Sequence, residues 1–450
     1  MYNNYLVKHK YFGLAGICIA SFLGCIDLTV VNTIIPAIGR EFAVPLDDTQ
    51  WVASAFMIAL SAFMVPVGTM ADKYGRKKLL LIGLSTFGLS SLFVGITNNL
   101  LMLVLFRFIQ GLGCAVLYTV SGAITSYIFD KKEQGKALGI LFAFNGLGLA
   151  IGPVIGGAFS GLFSWRYAFL INIPLILISI LLCFRFIPEQ KSNNGDRLDI
   201  IGCALLTLFL ISLVGFFSIQ RDFIKTLALL LLILLLGALF IYHEMRTESP
   251  IVRFYFFKNL KFASALLSTF FLAFYYCIIL ISIPMFFSKF INLNDLEIGL
   301  LLLPATTTFS LTSTWIGNRS EKITANRSIV IGMLFFVISS VGLEFAITRE
   351  NFLFFIIPLI IFGAAWGMIL GPSTLIALRS LPEDKAAVAM GTSWTLHNVG
   401  GACGVAFAVY VLNQSSNAIS EYETLMHSLI GISTLMAVIY SLLNRRDIFI

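Results

Sequence analysis

Long stretches without Asp, Glu, Lys or Arg recur along the whole sequence, and they limit the available folds more than any other feature. Many of them exceed the ~20 residues that an α-helix needs to cross a lipid bilayer. Only 12% of the 450 residues are charged, whereas roughly 25% is usual in soluble domains. A soluble fold could not bury this much apolar surface, so the sequence predicts an all-α integral membrane protein.

The apolar stretches predict fourteen transmembrane helices. Their ranges are 13–38, 51–71, 79–97, 101–128, 137–160, 165–185, 199–219, 224–243, 263–288, 297–317, 328–347, 352–378, 386–412 and 424–444. The longest polar stretches, 187–199 and 244–261, flank the seventh and eighth helices. We therefore expect a six-helix bundle at 1–190, a two-helix insert with its linkers at 191–260, and a second six-helix bundle at 261–450. The insert has almost no polar side chain at membrane depth, so we interpret it as a hairpin that faces lipid.

Basic residues predict the orientation of the chain in the membrane. An even number of spans places both termini on the same side of the membrane. The termini and loops on that side carry 23 Lys and Arg residues, and the loops on the other side carry six. Because basic residues are enriched in cytoplasmic loops, both termini are predicted to be cytoplasmic. The net charge of +7 is then explained by this topology in the lipid bilayer. Since the basic residues are spread over many short segments, we predict no nucleic-acid partner.

Motifs typical of soluble enzymes are absent from the sequence. The chain has no Walker A, HExxH or CxxC motif. All seven cysteines lie inside predicted helices and lack the spacing of a metal site. We therefore predict neither an enzyme nor a metal or cofactor site. ATP-driven pumping by this chain alone is not expected, so the energy for transport would come from a gradient or from a partner.

Asp27 lies near the middle of the first predicted helix, and Arg107 is the only basic residue deep in a predicted helix. Charged side chains in the membrane interior are costly and usually functional. Burial and a nearby cation act on the pKa of an aspartate in opposite directions, which suits a group that binds and releases a proton. We predict that Asp27 and Arg107 couple transport to protons. The alternatives are a permanent buried ion pair and a carboxylate that only ties helices together.

Other polar and aromatic side chains within the predicted helices are candidates for a substrate cavity. They are Asn32, Gln110, Asn145, Trp366, Trp394 and His397. A histidine side chain can titrate near neutrality, so His397 is a candidate, although a hydrogen-bonded packing role is the favoured interpretation. Glu344 lies near the end of its predicted helix, where a position at the membrane rim is favoured over a functional site.

A glycine-rich pattern occupies the fifth predicted helix. Gly148, Gly152 and Gly156 recur every four residues, so they lie on one face, where another helix can approach closely. Pro153 removes a backbone hydrogen bond and permits a bend. We predict a packed, bent hinge, named the glycine hinge, made by Gly139, Gly148, Gly152, Pro153, Gly156 and Gly157.

The segment 68–78 predicts a tight cytoplasmic turn after the second helix. Its glycines allow close packing and a sharp reversal, and its aspartate can face a helix N-terminus. We predict a cytoplasmic latch, in which Arg76 pairs with Asp130, made by Gly68, Asp72, Gly75, Arg76, Lys77 and Asp130. The alternative is ordinary anchoring by basic residues at the membrane surface. A weaker copy of the segment follows the tenth helix at 317–322.

Five segments resemble, in order, motifs of the drug:proton antiporters of the major facilitator superfamily, in particular the fourteen-helix QacA/EmrB type. They are 27–32 with Pro36, 68–78, 107–113, 139–157 and 165–174. The resemblance implies the major facilitator fold, export by alternating access that proton entry drives, and coupling roles for Asp27 and Arg107. The sequence differs from the family pattern at two positions. Phe56 stands where many relatives carry tyrosine, and His397 stands where arginine is common.

The predicted function is therefore a proton-coupled exporter of small lipophilic or drug-like molecules in the cytoplasmic (inner) membrane of a bacterium. A neutral, zwitterionic or anionic substrate is favoured, because the second half has no acidic residue deep in its cavity-lining helices. Three alternatives remain open: export of a siderophore or metabolite, import or facilitated diffusion on the same fold, and a transport-dead scaffold or sensor. Whether a periplasmic adaptor and an outer-membrane channel take part is undecided by the sequence.

Overall fold

A computed structural model describes residues 2–44, 46–49, 51–189, 199–218, 223–247, 250, 254–291, 295–319, 323–349, 351–412 and 418–445. Within these ranges the chain forms α-helices joined by short turns. The helices are α1 Tyr2–Phe42, α2 Leu46–Thr49, α3 Trp51–Tyr74, α4 Arg76–Ile96, α5 Leu100–Ile128, α6 Gln134–Leu162, α7 Tyr167–Leu170, α8 Asn172–Phe186, α9 Ile200–Ser218, α10 Phe223–Glu244, α11 Leu260–Phe286, α12 Asp295–Asn318, α13 Ala325–Arg349, α14 Leu353–Ser380, α15 Ala386–Leu412 and α16 Ala418–Leu443. The all-helical character follows from the membrane, where an apolar segment must satisfy its own backbone hydrogen bonds.

The prediction of fourteen transmembrane helices is wrong. Among the described residues, twelve helices are long and apolar enough to cross a membrane. The helix predicted at 297–317 is not one of them, because five threonines and two serines between 306 and 314 reduce its hydropathy. The helix predicted at 199–219 contributes only the shorter apolar segment Ile200–Leu213. The arrangement of six, two and six spans is corrected with it, whereas the boundaries at 190 and 260 stay a prediction.

The described chain divides into two compact units. The first unit comprises 1–129, 151–258 and 381–395, and the second comprises 130–150, 259–380 and 396–450. Helices α6 and α15 therefore each contribute one part to the first unit and one part to the second.

In the first unit, α5 packs against α3 and α4, while α1 packs against α8 and α5. Helix α9 lies between α3 and α10. The contact of α4 with α5 is close because Gly83 and Gly113 meet: a Cβ at Gly113 would lie 3.0 Å from the carbonyl oxygen of Gly83.

Leucines of α10 are largely exposed, and Leu234 is 62% exposed. This apolar surface is suited to contact with lipid.

In the second unit, α14 packs against α11, α12 and α13, and α16 packs against α13. Tyr275 of α11 lies in its centre and is fully buried. Its ring stacks on Phe336 with a centroid distance of 4.0 Å. Its hydroxyl group donates to the carbonyl oxygen of Phe336 at 2.9 Å and lies 2.5 Å from Oγ of Ser340. A buried tyrosine hydroxyl with partners fixes the position of the helices around it.

Candidate functional site

A buried ion pair joins α1 to α5 in the first unit. Nη1 of Arg107 lies 3.0 Å from Oδ2 of Asp27, and the two side chains are 1% and 0% exposed. Asp27 and Arg107, which the sequence suggested as partners, are thus in direct contact. An ion pair at this depth is stable only when the remaining polar atoms also find partners.

Neutral side chains supply those partners. Gln110 accepts a hydrogen bond from Nη1 of Arg107 at 2.7 Å and donates to Ser91 at 2.7 Å. Asn172 donates to Oδ1 of Asp27 at 3.2 Å and contacts Ser91 at 3.3 Å. We name these five residues the polar network. Its members come from α1, α4, α5 and α8, so a change in the charge of Asp27 acts on four helices.

The guanidinium group of Arg107 is held in a fixed orientation. Nε donates to the carbonyl oxygen of Val52 at 3.0 Å. The ring of Phe56 lies 4.2 Å from Cζ, and the ring of Phe169 lies 5.4 Å from it. Aromatic faces stabilise a buried cation, and arginine keeps its proton under all ordinary conditions. Proton exchange in the polar network can therefore take place at Asp27 and not at Arg107.

Sequence reasoning missed Ser91 and Asn172 as network members and assigned Gln110 to a substrate cavity. A neutral polar residue in an apolar helix gives no signal that separates packing from function. Asn172 lies within the 165–174 motif, which was the one sequence signal that could have found it.

The other residues predicted for a substrate cavity lie in both units. In the second unit, the indole of Trp366 stacks on Tyr276 and Phe309 with centroid distances of 4.5 and 4.6 Å. The ring of His397 lies 5.4 Å from that of Tyr276. In the first unit, Trp394 lies 5.0 Å from the ring of Tyr118. The side chain of Asn32 lies outside the described residues.

Two of the predicted cavity residues in the second unit carry a buried polar atom that lacks a hydrogen-bond partner among the described residues. The atoms are Nε1 of Trp366 and Oδ1 of Asn145. The two residues are 2% and 4% exposed. Since buried polar groups are almost always hydrogen-bonded, this donor and this acceptor have the chemistry of a ligand contact.

The cytoplasmic latch is built around the N-terminus of α15 in the first unit. Oδ1 of Asp72 accepts the backbone N–H of Ala387 at 3.1 Å, and Oδ2 accepts that of Val388 at 2.9 Å. A carboxylate at a helix N-terminus accepts hydrogen bonds from unpaired N–H groups, and its negative charge interacts favourably with the helix dipole. Gly68 permits the approach, because a Cβ there would lie 2.5 Å from the carbonyl oxygen of Ala387.

Arg76 completes this arrangement. It lies 2.8 Å from Asp72 and donates to the carbonyl oxygen of Glu383 at 2.5 Å. Gly75 precedes α4 with φ of 104°, a conformation that favours glycine. Lys77 donates to the carbonyl oxygen of Phe184 at 2.7 Å. The predicted pair of Arg76 with Asp130 would join different units and stays a prediction.

The glycine hinge lies within a continuous helix, α6, that contains Pro153. Gly152 and Gly156 face α1, where their nearest side chains are Thr29 and Thr33. Gly139 contacts α12 in the second unit: a Cβ would lie 2.6 Å from the carbonyl oxygen of Ser313. Gly148 is buried, whereas a Cβ added at Gly157 would have no atom within 4 Å. Gly157 therefore does not belong to the close helix contact.

A second charged cluster, unforeseen from the sequence, closes the other end of the first unit. Glu41 accepts hydrogen bonds from Nη1 of Arg166 and Nε1 of Trp165, both at 2.6 Å. Arg166 also donates to the carbonyl oxygen of Thr97 at 2.9 Å and to Asn98 at 2.9 Å. Burial acts to raise the pKa of Glu41, but the hydrogen bonds and the charge of Arg166 outweigh it and lower the pKa. We name these five residues the Glu41 cluster.

Glu344 lies 3.2 Å from Nε2 of His427 in the second unit. The side chains are 27% and 66% exposed, so the pair is open to the surroundings. The pair of Asp27 with Arg107, at 0% and 1% exposure, is far more deeply buried.

The sequence matches the family described as Major Facilitator Superfamily over residues 17–405. The chain belongs to the major facilitator superfamily. This match covers the polar network, the cytoplasmic latch and the glycine hinge, and it supports a membrane transporter that is not an enzyme.

Several proteins named as transporters are similar to this chain over most of its length. "Multidrug resistance protein Stp" of Mycobacterium tuberculosis (strain CDC 1551 / Oshkosh) is 28% identical, covering 87% of this chain and 74% of its own. "Riboflavin transporter RibZ" of Clostridioides difficile (strain 630) is 28% identical, covering 89% and 88%. "Multidrug transporter protein MdtP" of Bacillus subtilis (strain 168) is 26% identical, covering 91% and 76%.

A solved structure shares the fold of this superfamily member. The human organic anion transporter MFSD10 (TETRAN) superposes with a TM-score of 0.66, covering 95% of this chain and 99% of that one. Sequence identity is 14%, so the likeness concerns the fold alone.

Proposed function

We propose that this protein is a proton-coupled antiporter that exports small lipophilic or drug-like molecules by alternating access. The observation that carries the proposal is the buried contact of Asp27 with Arg107 inside the polar network, 3.0 Å apart. Burying a carboxylate at this depth costs free energy, and such residues usually have a function. The function that we propose for Asp27 is to bind and release a proton.

The polar network has partners for both charge states of Asp27. In the ionised state, Oδ2 contacts Arg107 and Oδ1 accepts from Asn172. When Asp27 binds a proton, Gln110 and the carbonyl oxygen of Val52 still accept hydrogen bonds from Arg107. The guanidinium group is therefore not left without partners, which would cost several kcal/mol for a buried charge. Protonation can loosen the link between α1 and α5 without unfolding the site.

The latch and the hinge are the elements that we expect to move when Asp27 binds or releases a proton. Asp72 ties α3 to the N-terminus of α15, and Gly156 brings α6 against α1. The basic residues beside the latch favour the cytoplasm for this end of the helices. We propose that the latch holds this end closed and that proton release from Asp27 accompanies its opening. We further propose that the protein resides in the cytoplasmic membrane of a bacterium.

The substrate that we propose is neutral or anionic and forms hydrogen bonds. Nε1 of Trp366 and Oδ1 of Asn145 offer it one donor and one acceptor. The relatives named for multidrug resistance favour export of foreign compounds. The relative named as a riboflavin transporter favours a second candidate, transport of a planar metabolite.

Everted membrane vesicles test the proposal. With an imposed proton gradient, riboflavin and chloramphenicol serve as neutral probes and ethidium as a cationic one. We expect accumulation of at least one neutral probe above its external concentration, with simultaneous proton release from the lumen. In Asp27→Asn we expect both the accumulation and the proton release to be lost, while the probe still equilibrates. Asp384→Asn, which changes an exposed acid, is the matched control and should transport normally.

Other outcomes point to other functions. Full uphill transport in Asp27→Asn would remove Asp27 from coupling and overturn the proposal. Probe movement without proton movement in the unaltered protein would indicate a facilitator, the behaviour expected of a metabolite importer. Neither movement with any probe would favour a scaffold or sensor.

A further inference from the structure

A cavity of about 270 Å³ lies in the second unit, where the start of α6 meets α12, α13 and α14. No residue of the polar network and none of Asn145, Trp366 and His397 lines it. The cavity lies at the ends of its helices, beside the turn that precedes α6. The lysines of that turn predict a position at the cytoplasmic surface.

The N-terminus of a long helix points into this cavity. Ile323, Thr324 and Ala325 line it, and Ala325 is the first residue of α13. Oγ1 of Thr324 accepts the backbone N–H of Arg327 at 3.3 Å. The first N–H groups of a helix have no partner within the helix, and together they carry a partial positive charge.

An unpartnered hydroxyl group is the second, independent observation. Ser313 of α12 lines the cavity and is 2% exposed. Its Oγ has no hydrogen-bond partner among the described residues. By contrast Ser310, one turn earlier, donates to the carbonyl oxygen of Thr306 at 3.0 Å. A buried hydroxyl without a partner is rare unless a ligand or water completes it.

A cation completes the lining. Nε of Arg379 donates to Oε1 of Gln134 at 3.1 Å, and Nη2 donates to the carbonyl oxygen of Lys131. A guanidinium group has five N–H donors, so further donors remain for a ligand. No Asp or Glu occurs among the described residues that line the cavity. A helix N-terminus, a hydroxyl and a guanidinium group together form the donor set that binds phosphate.

We propose that this cavity binds a phosphate group carried by a small molecule or by a lipid headgroup. The volume exceeds what one phosphate needs, since a water molecule takes up about 30 Å³ of liquid volume. The rest of the described wall consists of four glycines and four larger residues, which are Gly135, Gly139, Gly317, Gly371, Ile316, Ser328, Pro372 and Leu375. The glycines have no side chain, so they leave space for a small organic group attached to the phosphate.

The ligand would stabilise one packing of the helices. Gly139 of α6 meets Gly317 of α12 so closely that a Cβ on Gly139 would lie 3.1 Å from the Cα of Gly317. The cavity borders this contact, so a bound phosphate compound links the start of α6 to α12, α13 and α14. Under the alternating access proposed above, this link opposes opening of this end and slows transport. The effect on transport rests on the proposed function, whereas binding does not.

Binding to purified full-length protein in detergent tests the site. The probes are inorganic phosphate and glycerol 3-phosphate, measured by calorimetry and by thermal unfolding. We expect saturable binding, weakened at least about tenfold in Arg379→Gln and several-fold in Ser313→Ala, because hydrogen bonds to charged groups are the strong ones. Ser310→Ala is the matched control and should bind normally.

The variant Gly371→Leu tests the site without changing any charge, in case Arg379→Gln fails to fold. A Cβ at Gly371 would have Phe142 as its nearest neighbour, at an ordinary 3.7 Å, so a larger side chain can fill the cavity without moving the backbone. We expect this variant to fold and to lose binding of both probes. Normal binding in Gly371→Leu would overturn the assignment of the site.

Lipid and soluble sources are separated in nanodiscs. If the lipid headgroup is the natural ligand, phosphatidylglycerol in place of phosphatidylcholine raises the unfolding temperature of the unaltered protein but not of Gly371→Leu. If a soluble compound is the ligand, both membranes give the same temperature and glycerol 3-phosphate raises it. The absence of both effects overturns the proposal, even where vesicle transport proceeds as proposed.

Discussion

At the scale of single residues, the shape of the Arg107 side chain matters as much as its charge. The guanidinium group contacts Asp27, Gln110 and the carbonyl oxygen of Val52 simultaneously, and a lysine ammonium cannot reproduce this fork. We therefore predict that Arg107→Lys lowers proton-coupled transport at least about tenfold, since each charge-assisted hydrogen bond contributes ~1.5–3 kcal/mol. Uptake of a neutral probe into everted vesicles measures the effect.

Arg185→Lys is the control for that experiment, because Arg185 is exposed at the end of α8. Its transport should equal that of the unaltered protein. Normal coupling in Arg107→Lys would show that a positive charge suffices and that the geometry of the polar network is irrelevant.

The Glu41 cluster predicts a pH dependence of stability. The pKa of Glu41 is lowered from its ordinary value of 4.5 in the folded protein. Its contribution is therefore complete above about pH 4.5 and is lost as the pH falls through the folded-state pKa. We expect thermal unfolding between pH 3 and 6 to show this loss in the unaltered protein and a flatter profile in Glu41→Gln.

The effect should stay below about 1 kcal/mol, because ion pairs that are partly exposed to water contribute little. Glu189→Gln, which alters another exposed carboxylate, should keep the unaltered profile. If Glu41→Gln loses as much stability in acid as the unaltered protein does, groups other than Glu41 cause the transition.

At the scale of helices, the glycines of α6 differ in what a methyl group would meet. A Cβ at Gly156 would lie 2.7 Å from the carbonyl oxygen of Val30, whereas no atom lies within 4 Å at Gly157. We predict that Gly156→Ala destabilises the protein by about 1–3 kcal/mol, the usual cost of overpacking. Gly157→Ala should be neutral or slightly stabilising. Unfolding of the purified variants measures the difference, and equal stabilities would contradict the packing of α6 on α1.

The helices also show what the sequence can and cannot predict. Charge-free stretches predicted most spans well, because a membrane helix must be long and apolar. They failed at α12, where threonines hold no charge yet lower hydropathy. The contact of Asp72 with Ala387 joins residues 315 positions apart, and no local pattern encodes such a distance. The ion pair of Asp27 with Arg107 was predictable because buried charges need partners.

At the scale of the whole molecule, one proton per cycle sets a limit on the gradient that the protein can build. A charge that moves down 100 mV releases about 2.3 kcal/mol, which sustains roughly a fortyfold gradient of a neutral solute. We therefore predict that the steady-state ratio of a neutral probe across everted vesicles rises with the imposed voltage toward this value. Asp27→Asn should stay near a ratio of one at every voltage, because it still moves between conformations but carries no proton. A ratio of one in the unaltered protein, despite rapid probe movement, would mean that the buried acid serves structure and that transport is passive.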